Sequence, residues 1–158
     1  MNLTDQTLRD LLDDVASGTV STAEALTRLR EPNMELVNDY AVLDTAREER
    51  TGFPEVVFGQ GKTDEQVVTI FHRIRAKNRS VMATRIQSEV YERIKDALPA
   101  DAVYDATARI IYTRDPEKPL HPGITVVTAG TADLPVAAEA ALTAELMGNQ
   151  VLRITDVG

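Results

Sequence analysis

The chain contains no cysteine. This absence excludes disulfides, thiolate metal sites and a cysteine nucleophile within these residues. Histidine is nearly as scarce. His72 and His121 are the only two, and their separation offers no zinc-ligand spacing, so no metal ligands are assigned. Positive charge is in deficit, with a formal net charge of −8. The cationic footprint that phosphate-backbone binding needs is missing, and nucleic acid is not an expected partner. No apolar run approaches the roughly 20 residues of a membrane helix, so no membrane partner is expected either. The N-terminal Met-Asn-Leu-Thr-Asp-Gln has neither the basic start nor the apolar core of a secretory signal. The expected location is therefore cytoplasmic. At 158 residues and 43% hydrophobic content, the chain can bury a core and allows one domain, or one domain and part of another.

What is present alternates between helix and strand signals. Residues 3–30 read as a helical hairpin. Leu8, Leu11, Leu12 and Val15 fall on one helical face. Ser17-Gly18 suits a helix stop, Ser21 to Glu24 has capping-box spacing, and Pro32 ends the second helix. Residues 33–54 read as a charged connecting segment, with a short helix over 46–50. From Glu55 onward the chain reads as a strand over 55–58, a glycine turn, and a helix capped by Thr63 and Gln66. A strand over 80–84, a helix capped by Ser88 and running through Leu98, and a long strand over 103–114 follow. Residues 115–123 hold three of the seven prolines and read as a linker. After it come a strand from Ile124, an alanine-rich helix and a strand over 151–158. The resulting expectation is an α/β fold with a mainly parallel sheet. Its parts are a helical arm over 1–34, a small α/β domain over 35–114, the linker, and the opening βαβ of a further domain over 124–158.

Two turns offer chemistry. Gly59-Gln-Gly-Lys-Thr63 ends like a phosphate loop, but Val56 stands where the Walker pattern requires glycine, so a Walker NTPase is excluded. What remains is a glycine turn feeding a capped helix, or an anion contact at Lys62 aided by the helix N-terminus. The segment Thr128-Ala-Gly-Thr-Ala-Asp-Leu-Pro135 combines small residues, a glycine with torsional freedom and two hydroxyls. Asp133 is placed to cap the following helix, whose first amides would face an anion. A ligand loop and an ordinary strand-to-helix turn both fit this pattern. Asp156 ends a strand, where α/β proteins place ligand groups, although the residues alone favour a solvated terminal carboxylate.

The stretches Thr51-Gly-Phe-Pro-Glu-Val-Val-Phe-Gly-Gln-Gly-Lys-Thr63 and Val126-Val-Thr-Ala-Gly-Thr-Ala-Asp-Leu-Pro-Val-Ala-Ala-Glu-Ala-Ala-Leu-Thr-Ala-Glu-Leu-Met-Gly-Asn149 resemble the LarB-type family. The resemblance spans roughly 45–158. The second domain of that family is similar to PurE, the aminoimidazole ribonucleotide carboxylase. The resemblance implies a flavodoxin-like layered fold and a homo-oligomer, octameric in full-length members. It also implies the first step of nickel-pincer cofactor synthesis, which supplies lactate racemase. In that step nicotinic acid adenine dinucleotide is carboxylated on its pyridinium ring and its phosphoanhydride is hydrolysed with release of AMP. Carbon dioxide or bicarbonate is the co-substrate and Mg2+ the expected aid. Some relatives are labelled circadian phase modifiers. Carried over by position, Thr128, Gly130, Thr131, Asp133 and Asp156 are expected to bind substrate. Arg50, Gly52, Phe53, Pro54, Gly61, Lys62 and Thr63 are expected to meet substrate or a neighbouring domain. The family's cysteine that adds to the ring is expected beyond Gly158, so no turnover is expected of these residues alone. The alternatives are a non-catalytic nucleotide-binding or assembly module, and a carboxylase of purine synthesis, which lacks the N-terminal extension.

Overall fold

The computed structural model describes residues 5–30, 34–45 and 47–157. Pro32 and Gly158, both given a place in the sequence reading, lie outside them. The chain forms two compact units, 1–55 and 56–158.

In the first unit, α1 (Asp5–Ala16) and α2 (Thr22–Arg30) form the expected hairpin. Leu11, Val20 and Ala25 are buried together, with Val15 packed beside them. The Ser17-Gly18 stop is built as its sequence suggests, the Thr19 amide reaching back 2.9 Å to the Asp14 carbonyl. The Ser21 hydroxyl accepts from the Glu24 amide at 3.1 Å. The segment read as a connector instead contains an antiparallel hairpin, β1 (Met34–Val37) and β2 (Ala41–Asp44). Asn38 turns it at a φ of 48°, a conformation asparagine tolerates better than most side chains. Val37 and Leu43 are buried, while Leu36 and Val42 face outward, the period-2 pattern of a strand pair. A short helix, α3 (Arg47–Thr51), follows as expected.

The second unit holds β3 (Val56–Phe58), α4 (Asp64–Arg75), β4 (Val81–Thr84), α5 (Ser88–Ile94), β5 (Val103–Asp105), β6 (Ile110–Thr113), β7 (His121–Thr128), α6 (Leu134–Leu146) and β8 (Asn149–Thr155). The α/β class expected from the sequence is what the structure has. The larger sheet, however, is mixed rather than mainly parallel. Its order is β3-β4-β6-β5, and only the β3–β4 pairing is parallel. The cause lies at 106–109, inside the stretch read as one long strand. There the Asp105 carboxylate accepts from the Ala108 amide at 2.8 Å and Arg109 takes a φ of 55°. This is aspartate's usual way of stabilising a turn, and it folds the strand into a hairpin.

Thr63 and Gln66 complete a capping box at the start of α4. Val67, Ile70, Phe71 and Ile74 form the buried face of that helix, which packs on β3 and β4. Ser88 was expected to cap α5. It is instead the first helical residue, and Gln87 holds the cap position without a side-chain bond. On the other sheet face Met82, Ala108 and Ile110 cluster with Leu142 and Leu146 of α6. That packing is why residues 56–158 form one unit, whereas the sequence suggested a break at the proline-rich segment. β7 itself starts inside that segment, at His121. No helix among the described residues is long and apolar enough to cross a membrane.

Candidate functional site

β7 and β8 pair in parallel, in the register Val126↔Arg153 and Thr128↔Thr155. A parallel pair joined through a helix exposes the carboxyl ends of both strands on one edge. The Thr128–Asp133 turn leaves the end of β7 at this edge, and Asp156 follows the end of β8. The two are linked directly, since the Val157 amide donates to the Thr128 carbonyl at 3.4 Å. Asp156 takes a φ of 59°, a left-handed conformation uncommon for a side-chain-bearing residue. Thr128, Gly130, Thr131, Asp133 and Asp156 are thus gathered at the ends of two adjacent strands.

The turn differs in detail from its sequence reading. Gly130 has an extended backbone, φ −107° and ψ 154°, so torsional freedom does not explain it. A Cβ at this position would meet only Asp133 Oδ2, at 3.8 Å, which is ordinary contact. The fold of this chain places no demand for glycine there. Asp133 occupies the cap position of α6 but forms no capping hydrogen bond. Some of the amides at this helix start are already engaged within the turn. The Asp133 amide donates to the Gly130 carbonyl at 3.2 Å, the Leu134 amide donates to the Thr131 carbonyl, and Pro135 has none. The amides of Gly130, Thr131 and Ala132, just upstream, enter no described hydrogen bond. Thr128 is buried, its hydroxyl 3.5 Å from the Gly130 carbonyl, a separation too long for a strong bond. Unused donors, a bare glycine and the positive end of a 13-residue helix make this edge suited to an anionic ligand.

The remaining candidate residues belong to other elements. Gly52, Phe53 and Pro54 follow α3 in the first unit, Gly52 at a φ of 79° and Phe53 with its ring partly exposed. The Arg50 side chain is outside what the structure describes. Gly61, Lys62 and Thr63 follow β3 in the second unit, on the other sheet. Gly61 has a φ of 83° and Thr63 is committed to the capping box. Beside it, Asp64 accepts two bonds from Arg93 of α5, at 2.6 and 2.9 Å. This guanidinium fork holds the Asp64 carboxyl below the usual aspartate range and pushes Arg93 up. Among the described residues, no group of three or more acidic, histidine or cysteine side chains is placed to hold a metal ion.

Sequence reading passed over Thr107, Arg114, Glu145 and Arg153. Glu145 accepts from Arg153 at 2.7 Å and from Arg114 at 3.2 Å. Arg114 is 31 residues from Glu145 and Arg153 is eight beyond it, and no local motif signals their meeting.

Residues 34–115 match the LarB/PurE-like N-terminal domain, just over half of the chain. An uncharacterized protein of Methanocaldococcus jannaschii is 33% identical over 159 residues, a match that covers 96% of this chain and 61% of that protein. The chain thus spans about three fifths of the length of the curated relative it matches.

Proposed function

The chain belongs to the family of the LarB/PurE-like N-terminal domain, and on that premise we propose that its Thr128–Asp133 turn binds the phosphate-bearing part of nicotinic acid adenine dinucleotide, in a protein that carboxylates the pyridinium ring and releases AMP. The observation that carries this reading is the set of unused amides at Gly130, Thr131 and Ala132, beside a glycine that the fold itself does not require. Phosphate oxygens would take those amides and the Thr131 hydroxyl. The dipole of α6 would add to the attraction. Asp156, at the end of β8, would accept from a ribose hydroxyl.

Carbon dioxide or bicarbonate is the proposed carboxyl donor and Mg2+ the proposed aid. Magnesium at such sites is held largely by substrate phosphates with one or two carboxylates, and Asp133 and Asp156 are the carboxylates that flank the turn. A pyridinium becomes open to carboxylation once a nucleophile has added to it. The family's cysteine is not among these 158 residues, so the activity expected of them is binding. Calorimetric titration of nicotinic acid adenine dinucleotide into the chain, with magnesium and bicarbonate present, tests the reading. Saturable binding supports it and a flat titration contradicts it.

A second reading, an assembly module that forms a homo-oligomer, is favoured by a different observation. Val127, Leu152 and Ile154 leave an apolar face of the β7–β8 sheet exposed, at 56%, 59% and 37%. A concentration-dependent mass by light scattering supports that role, and a monomer at all concentrations contradicts it.

A further inference from the structure

The face of β7–β8 that looks toward α6 is not filled. The far end of α6 is filled, with Ala141, Leu142 and Leu146 buried and the two leucines packed against Met82, Ala108 and Ile110. At its near end Ala137 and Ala138 stand over a pocket of about 170 Å³, floored by Val126, Thr128, Arg153 and Thr155. Leu134 of α6 and Thr107 of the β5–β6 turn complete the wall. The floor residues are the two register pairs Val126↔Arg153 and Thr128↔Thr155, so all four share one side of the strand pair.

The size and the chemistry of this pocket limit its occupant. A cavity of about 150 Å³ accommodates a single benzene ring, and drug-sized ligands need roughly 300 Å³ or more. The surface offered by Val126, Leu134, Ala137 and Ala138 is apolar. Polar residues in the lining are three threonines and Arg153, whose guanidinium also donates to Glu145 at 2.7 Å. That guanidinium belongs to a locally cationic group in an acidic protein, because Arg114 and Arg153 share the single carboxylate of Glu145. One positive charge in this trio is not neutralised. Arg85, the nearby arginine that also reaches α6, is by contrast matched one to one with Glu139 at 2.9 Å.

We propose that this pocket binds a small monoanion with an apolar body of about one ring, the carboxylate toward Arg153 and the body under Ala137 and Ala138. The site lies beneath α6 and shares only Thr128 with the turn, and it stands whether or not the turn takes a nucleotide.

Benzoate is the probe, with benzyl alcohol as its uncharged counterpart, each titrated into the full 158-residue chain and followed by amide NMR. Benzoate is expected to shift the amides of Thr107, Thr128, Ala137, Ala138 and Arg153 in one saturable step. It is expected to bind at least tenfold more tightly than the alcohol, as befits a hydrogen bond to a charged group. Arg153→Gln should remove that preference. Ala137→Leu, which fills the space, should abolish the shifts for both probes. The wild-type titration is decisive without either variant. Absence of saturation, equal affinity for the two probes, or shifts confined to other surfaces would overturn the proposal.

Discussion

The Gly59 amide donates to the Thr84 carbonyl at 2.8 Å, and a Cβ on Gly59 would stand 2.8 Å from the same oxygen and 2.2 Å from Ile86 Cδ1. The parallel strands β3 and β4 therefore close at a point where no side chain fits. Gly59→Ala is expected to force the backbone apart and destabilise the protein by about 1–3 kcal/mol, as overpacking does. Thermal unfolding should show a loss of roughly 3–10 °C for a chain of this size. An unchanged midpoint would mean that Ile86 yields easily.

Gly130 is the opposite case. It has room for a Cβ and an extended backbone. Gly130→Ala is therefore expected to leave stability within about 0.5 kcal/mol, as at an ordinary surface position. If a ligand approaches the turn backbone, the same methyl group should weaken nucleotide binding tenfold or more. Paired melting and calorimetric titration check both halves. Loss of stability would mark this glycine as structural.

Thr63 both accepts from the Gln66 amide, at 3.2 Å, and receives the Gln66 side chain on its own amide, at 3.0 Å. Thr63→Ala is expected to cost about 1 kcal/mol, the usual effect of losing a cap. A fall in melting temperature of roughly 2–4 °C is the corresponding readout.

The Asp64–Arg93 fork gives a pH dependence with a defined sign. Asp64 is lowered in the folded state by its hydrogen bonds to Arg93, so its contribution is present above the ordinary aspartate range, near pH 4. That contribution is lost as pH falls through the lower, folded value. Wild type should therefore melt above Arg93→Gln at pH 7, and the gap should narrow as pH falls below the ordinary aspartate range. A gap that persists in acid would mean that the fork is not its source.

Local signals carried much of this fold and long-range contacts did not. Thr63 and Gln66 announce their helix because both halves of the cap lie within four residues, and the α4 stripe from Val67 to Ile74 repeats at helical spacing. The β1–β2 hairpin was hidden in a charged stretch, although Asn38-Asp39 between two apolar runs is a turn signal. The β5–β6 turn was overlooked because its flanks, Val103-Tyr104 and Ile110–Thr113, are all good strand formers. At the candidate site, the small residues of the Thr128 turn were visible. That Asp133 and Leu134 commit their amides to a tight turn, leaving Gly130 to Ala132 as donors, depends on backbone geometry that composition does not encode. The meeting of Arg114, Glu145 and Arg153 depends on where α6 docks.

The measurement that tests the central claim most directly is titration calorimetry of nicotinic acid adenine dinucleotide against the wild-type chain, with magnesium and bicarbonate. Saturable binding with no AMP released is the predicted result, because the turn would recognise the phosphates while the ring-adding cysteine is not among these residues. A titration with no binding heat at millimolar ligand, on a chain shown to be folded, would contradict the assignment of the Thr128–Asp133 turn as a nucleotide site.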